Sequence, residues 1–257
     1  MGIDNNAADQ SQTEISEAPP AQGIAWRLQA IFLEPSKAFE AVNIRPMWLV
    51  PLIICIVLSL IATAVIYSKV DMRQVTEQYL RESPMTRNMS NDEIRDLAQQ
   101  QADSPVAAFF RWAGPLLSAP LLVFVMSGLL MLLVYLAGSE TRFWKVVGVV
   151  SWSFLAYSLI SGVLVMLVFS LSSDPQSLNL QNPLYTNLGH LISSKESPAL
   201  YAVVSRIDLL TLYVLVLMGI GLSKVATKVS AGKAFVLALI PYGVYAAIVL
   251  FFAILTS

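Results

Sequence analysis

Cysteine and histidine occur once each in the 257 residues, as Cys55 and His190. A single cysteine excludes an intramolecular disulfide and a cysteine-built zinc site. A lone histidine with no acid or cysteine clustered near it supplies neither a metal-ligand set nor the base of a Ser/His/Asp arrangement. His190 is therefore read as a loop residue near lipid headgroups, and no cofactor is expected. Charge is also sparse: 13% of residues are Asp, Glu, Lys or Arg, and the net charge is −1. No basic stripe interleaves with aromatics, which argues against a nucleic-acid partner. The stretch SAGKAF, 230–235, lacks the upstream glycine and following Ser or Thr of a phosphate-binding loop. No ionisable residue stands in the middle of any apolar run, so the buried charge that a pump or coupled transporter keeps for its task is missing. Residues 1–23 hold four acids and no base, and the first apolar run opens only near Met47, so no cleaved signal peptide is expected.

Apolar residues, by contrast, make up 56% of the chain, and the mean hydropathy is +0.65. That is more apolar surface than one water-soluble domain can hide, so the chain reads as an integral membrane protein. The expected fold is all-α, a polytopic helical bundle with five transmembrane helices over about 47–67, 115–137, 146–169, 203–225 and 234–255. Residues 1–23 are expected to be a disordered acidic tail, because they cannot bury enough apolar surface to offset the entropy of ordering. Residues 24–257 form the membrane domain, with loops at 70–110 and 174–197.

Several local features fill in this frame. Trp26, Leu28, Ile31, Phe32, Phe39 and Val42 recur at helical intervals and break at Pro35. This predicts a broken amphipathic segment, read as a foot that steadies the first span in preference to a docking helix. In the first long loop, 72–80 and 91–101 have the pattern of short helices, the second opened by Ser90 or Asn91. The stretch from Ser197 to Lys233 reads as one long helix, with Ser197 as N-cap, Pro198 in its first turn and lysines at its exit. A kink is expected at Pro241-Tyr242-Gly243.

Basic residues orient the bundle. Arg142 and Lys145 lie between the second and third spans, and Lys224, Lys228 and Lys233 between the fourth and fifth, against one acid, Glu140. The two long loops are nearly balanced. The positive-inside rule then puts the N-terminus in the cytoplasm and the C-terminus outside.

Candidate sites are few. Arg206 and Asp208 are the only place where charge enters an apolar run, and with Asn182 and Asn187 of the neighbouring loop they form a candidate polar or interaction site. As a pair they would bind a polar ligand at the outer interface; the preferred reading has them snorkel to water or pair with an outer loop. Ser151, Ser153, Ser158 and Ser161 have no base beside them and read as close-packing and hydrogen-bonding positions. The small-residue pairs Ser158/Gly162, Gly219/Ser223 and Gly243/Ala247 fit helix contacts of the same kind.

Three stretches together, IFLEPSKAFEAV (31–42), RIDLLTLYVLVLMGIGLSKVATKVSAGKAF (206–235) and the loop DPQSLNLQNPLYTNLGHLI (174–192), resemble the Yip domain family of five-span membrane proteins, in its bacterial branch, over roughly Ile24 to Phe252. The resemblance implies a non-enzymatic protein that organises membrane or binds partners, residing in the bacterial cytoplasmic membrane. Its expected partners are the lipid bilayer, other membrane proteins or a second copy; a small GTPase enters only if the eukaryotic members' association extends to this chain. The alternative is a passive carrier or channel subunit for a small or lipidic solute, using a cavity near Pro241 and Gly243. A polar-lined cavity between the spans would favour the alternative, and a solid apolar interior would count against it. An intramembrane enzyme has the least support, for want of a nucleophile-base or metal constellation.

Overall fold

The computed structural model describes residues 23–83, 86–180, 183–192, 200–201 and 204–256. The expectations for the acidic tail, for Asn182 and for a helix start at Ser197 and Pro198 fall outside these residues. Nine α-helices follow one another among the described residues: α1 Ile24–Leu33, α2 Pro35–Ile44, α3 Leu49–Lys69, α4 Met72–Glu82, α5 Asn91–Ala102, α6 Pro105–Leu136, α7 Phe143–Leu171, α8 Leu209–Val225 and α9 Ala231–Thr256. Short 3-10 turns at Pro175–Ser177 and Leu188–Leu191 shape the loop between α7 and α8.

Four helices are long and apolar enough to cross a bilayer: α3, α6, α7 and α9 over Ala231–Phe251. Large apolar side chains such as Leu121, Leu132 and Val244 stand exposed on them, as expected of faces turned to hydrocarbon. The fifth helix, α8, differs. Its 17 residues extend only about 26 Å at the helical rise, yet Val214, Leu217, Met218 and Leu222 are fully or almost fully buried. It is the central helix, packed on α2, α7 and α9. Two glycines allow this. A Cβ on Gly221 would fall 2.5 Å from Val149 Cγ1 and 2.9 Å from Phe39 Cδ1, and one on Gly219 would fall 2.9 Å from the Phe235 backbone. Gly219 of the expected small-residue pairs is thus a close helix contact, while Cβ atoms on Gly162 and Gly243 would meet nothing within 4 Å.

Two boundaries differ from the sequence expectation. The helix expected from Ser197 through to Lys233 does not run unbroken: Asp208 is extended and caps α8 by accepting from the Thr211 amide at 2.8 Å, and α8 ends at Val225. Ahead of it, Asn187 and Asp208 form an isolated antiparallel bridge, with the Leu188 amide donating to the Ile207 carbonyl and Leu209 to Thr186. The cap is local, Asp at N-cap and Thr three residues on, but the bridge pairs residues far apart in sequence. Secondly, α6 starts at Pro105, capped by Ser104, so the end of the expected loop 70–110 is already helix. Pro115, Pro120 and Pro241 lie inside continuous helices.

The broken segment is also more than a foot. Ile31 and Phe39 are fully buried and Val42 is 1% exposed, with α2 packed mainly on α8 and α7. Buried Arg27 ties the pair down by donating to the carbonyls of Arg45 (2.8 Å) and Ala41 (3.1 Å). Burial first, and then the charge of Arg45, hold its guanidinium below the usual arginine range. At this same end Lys224 pairs with Glu40 at 2.6 Å, Lys145 donates to Asn43 at 2.6 Å, and Lys233 reaches the Ala137 carbonyl at 2.9 Å. Arg142 caps α7, and Lys228 adopts a left-handed φ of 58° in the turn between α8 and α9. Trp48 stacks on Trp144 at 5.1 Å beside Phe124.

The opposite end carries α4 and α5. Leu80, Ile94 and Ala98 form a small core between them, and the predicted Ser90 cap is present as a full capping box with Glu93. The two long loops are joined where Gln176 exchanges hydrogen bonds with the backbone of Asp71 at 2.8 and 3.0 Å, and within the first loop Arg73 pairs with Asp103 at 2.8 Å.

Candidate functional site

A cavity of about 580 Å³ lies between α3, α7, α8 and α9, roofed by the 183–187 loop and the segment ahead of α8. Helical spacing explains its walls. Cys55, Leu58, Ser59 and Ala62 fall on one face of α3, Tyr157, Ser158, Ser161 and Gly162 on one face of α7, and Tyr242 and Tyr245 lie one turn apart on α9. Tyr157 is the middle residue of α7, about 21 Å from either end. The cavity therefore reaches the centre of the span.

Arg206 comes from a turn closed by the Ile207 amide on the Val204 carbonyl, Asp208 from the extended residue that caps α8, and both line this space. Asp208 uses one carboxylate oxygen, Oδ2, for the Thr211 amide and the Thr211 hydroxyl at 2.8 and 2.9 Å, which fixes the start of α8. Its other oxygen, Oδ1, is buried without a hydrogen-bond partner. Arg206 donates from one terminal nitrogen to the Tyr245 hydroxyl at 2.9 Å, lies 5.3 Å from the centre of that ring, and leaves Nε buried and unpaired. Tyr242 donates its hydroxyl to the Arg206 carbonyl. No ion pair joins Arg206 to Asp208 among the described residues.

The loop above is held by its own residues. Asn187, the third candidate site residue in view, accepts from the Gly189 amide at 3.0 Å and lines the cavity. Gly189 is required, since a Cβ there would lie 2.7 Å from that of Ser205. His190 bonds the Leu184 carbonyl at 2.9 Å and stacks on Tyr185. It serves the loop and is not among the residues that line the cavity.

The structure thus brings Arg206, Asp208 and Asn187 together. Both residues are half-buried, and their segment pairs with the loop at Asn187 through the backbone bridge. Ser158 and Ser161 stand on the cavity wall, Ser161 donating back to the Tyr157 carbonyl, while Ser151 and Ser153 are fully buried in α7 with unpaired hydroxyls. Sequence reasoning missed the tyrosines 157, 242 and 245. The signal was their spacing with Ser161 and with one another, but three separate helices must meet before it means anything. Lys224, Lys228, Lys233, Arg142 and Lys145 do not line the cavity.

Among the described residues no group of three or more His, Cys, Asp and Glu side chains gathers as a metal site. The cavity offers hydrogen-bond donors and acceptors, one carboxylate and one guanidinium.

Residues 30–254 match the Yip1 domain. The chain belongs to the Yip1 domain family. Comparison with curated proteins and with solved structures returned no match. Membership, together with four long apolar helices, makes this Yip1-family chain a multi-pass integral membrane protein.

Proposed function

We propose that this Yip1-family protein works by binding rather than catalysis, holding a polar membrane component in the cavity between α3, α7, α8 and α9, and that it organises membrane or partner proteins through that occupant and its joined outer loops. The observation that carries this reading is a cavity within the bundle lined by one guanidinium and one carboxylate, Arg206 and Asp208, together with Tyr157, Tyr242 and Tyr245. Charge buried in a membrane protein is costly and is kept for a task. Against catalysis, Ser161 is spent on the Tyr157 carbonyl, Asp208 on capping α8 and His190 on the Leu184 carbonyl.

Five crossings are supported by the way the helix ends meet. The end of α8 is tied to the turn after α6, with Thr141 donating to the Val225 carbonyl at 2.9 Å and the Thr227 amide to the Glu140 carbonyl at 3.0 Å. The chain between α7 and α9 therefore returns through α8, whose shortness is offset by its burial in protein. The gathering of Arg142, Lys145, Lys224, Lys228 and Lys233 at that end supports a cytoplasmic N-terminus, with the cavity roof outside. The bacterial cytoplasmic membrane remains the proposed location.

A passive carrier is the second reading, favoured by the polar lining of the cavity. Binding is preferred because the cytoplasmic side of the bundle is closed by Phe39, Val42, Trp152 and Leu222, each at most 1% exposed.

Gly162→Phe tests the proposal. A side chain at 162 meets no neighbour within 4 Å and enters the cavity, so the variant is expected to fold and to lose the occupant. Native mass spectrometry of the full chain from mild detergent is expected to show a retained non-protein mass on the wild type and its absence on Gly162→Phe; equal retention by both would refute a ligand in this cavity.

A further inference from the structure

We infer that the part of α9 from Pro241 onward is a gate that opens the cavity sideways to the bilayer, between α9 and α3, and that the occupant is therefore an amphiphile dissolved in the membrane and not a solute drawn from water. This rests on the binding role of the cavity and adds the class of ligand and its way in. The α8 helix ends at Val225 and α9 starts at Ala231, so the two run antiparallel, and the close approach of Gly219 to Phe235 sets their register. Equal helical rises from that contact bring Leu209, the first residue of α8, level with Tyr245. Beyond that level α9 runs on to Thr256, past the start of its neighbour. What ties α9 down there is the turn ahead of α8: Tyr242 donates its hydroxyl to the Arg206 carbonyl, and the Tyr245 hydroxyl accepts from the Arg206 guanidinium at 2.9 Å.

The helix is weakest at these ties. Pro241 supplies no amide to the Leu237 carbonyl and its ring crowds that carbonyl, which is why an interior proline favours a bend. Two residues on, glycine is the poorest helix former after proline, and no neighbour calls for it, since a Cβ on Gly243 would meet nothing within 4 Å. A bend here carries Tyr242 and Tyr245 off Arg206. The roof stays in place, because its segment is held from the other side by the Asn187–Asp208 bridge, by the Leu188 and Leu209 amides, and by the close approach of Gly189 to Ser205. The opening is therefore lateral. On that side α3 packs on α6 and α7, and α9 on α8 and α6; α3 and α9 both line the cavity without packing on each other among the described residues. Exposed apolar neighbours of the lining residues, Ile61 beside Ala62 and Val244 beside Tyr245, give the opening a rim suited to an acyl chain, and the tyrosine and serine hydroxyls within suit a polar headgroup.

Cys55, the one cysteine of the chain, is buried on the cavity wall and makes the unmodified protein its own reporter. The test places the full chain in phosphatidylcholine nanodiscs and measures the rate at which Cys55 reacts with butyl methanethiosulfonate, which partitions into the bilayer, and with its trimethylammonium-ethyl analogue, which does not, each relative to free cysteine. The butyl reagent is expected to react about tenfold or more faster, the scale of excluding a charge from the membrane. Tyr242→Phe with Tyr245→Phe removes both ties and is expected to raise the butyl rate about tenfold, leaving the charged reagent slow. Pro241→Ala with Gly243→Ala stiffens α9 and is expected to lower the butyl rate about fivefold or more without loss of stability. Faster reaction with the charged reagent in the wild type, or butyl rates that neither pair of substitutions moves, overturns the inference. So does a tyrosine pair that speeds both reagents alike while its unfolding midpoint falls, since that is loosening of the whole fold. If the gate falls while the retained mass is still lost from Gly162→Phe, the binding role of the cavity stands; equal retention by wild type and Gly162→Phe removes the bound occupant whatever the rates show.

Discussion

Asp208→Ala is expected to lower stability by about 2 kcal/mol or more and to abolish retention of the cavity's occupant, while Asp208→Asn loses the occupant with much smaller damage to the fold. Three effects add in the alanine variant. Removing an N-cap acceptor costs roughly 0.5–2 kcal/mol, and here the lost oxygen serves both the amide and the hydroxyl of Thr211. The α8 helix so capped is the most enclosed of the long apolar helices, which transmits any fraying at its start to α2, α7 and α9. Arg206 is also left as the one charged residue among those lining the cavity, its opposite charge two residues away removed. Asparagine retains the capping oxygen and most of the shape, so it isolates the charge. Unfolding midpoints in detergent separate the two variants, and bound mass measured on the same samples reports the site.

The second large effect is expected at Trp152. Its side chain is 1% exposed, fills the region beneath the cavity, and donates Nε1–H to the Pro46 carbonyl at 3.3 Å. Trp152→Ala removes a large buried ring and leaves a void that neighbours cannot close, at a cost of about 3–5 kcal/mol. It also leaves the Pro46 carbonyl without that donor, next to Met47, whose φ of 42° is already unfavourable for a non-glycine residue. Trp152→Phe keeps an aromatic ring in place and is expected to cost less. Thermal unfolding ranks the variants. Solute release from liposomes then tests the closure: Trp152→Phe is expected to remain tight, and release by the wild type would favour the carrier reading.

Most helix types and the α4–α5 pair could be read directly, because their causes are local. Ser90 with the acids of its first turn and long uncharged runs act within a few residues. The helix expected from Ser197 to Lys233 is interrupted at Asp208, because the cap on Thr211 goes with the Asn187–Asp208 bridge, a pairing to a distant loop that no local signal reveals. Amphipathic α1 and α2 have an apolar stripe that suits a membrane interface as well as a protein core; only the depth of Phe39 between α7 and α8 distinguishes them. At the candidate site, Arg206 and Asp208 stood out as charges beside an apolar run. Their meaning depends on Tyr157, Tyr242 and Tyr245, three common residues on two other helices, which no spacing along the chain connects.

The most direct test of the binding site is a density map of the full chain in lipid nanodiscs, inspected at the wall formed by Arg206 and Asp208. The account predicts density in the cavity bridging the two side chains and reaching toward Tyr157, with Arg206 and Asp208 still separate. An empty or collapsed cavity in which Arg206 and Asp208 pair directly with each other would contradict it.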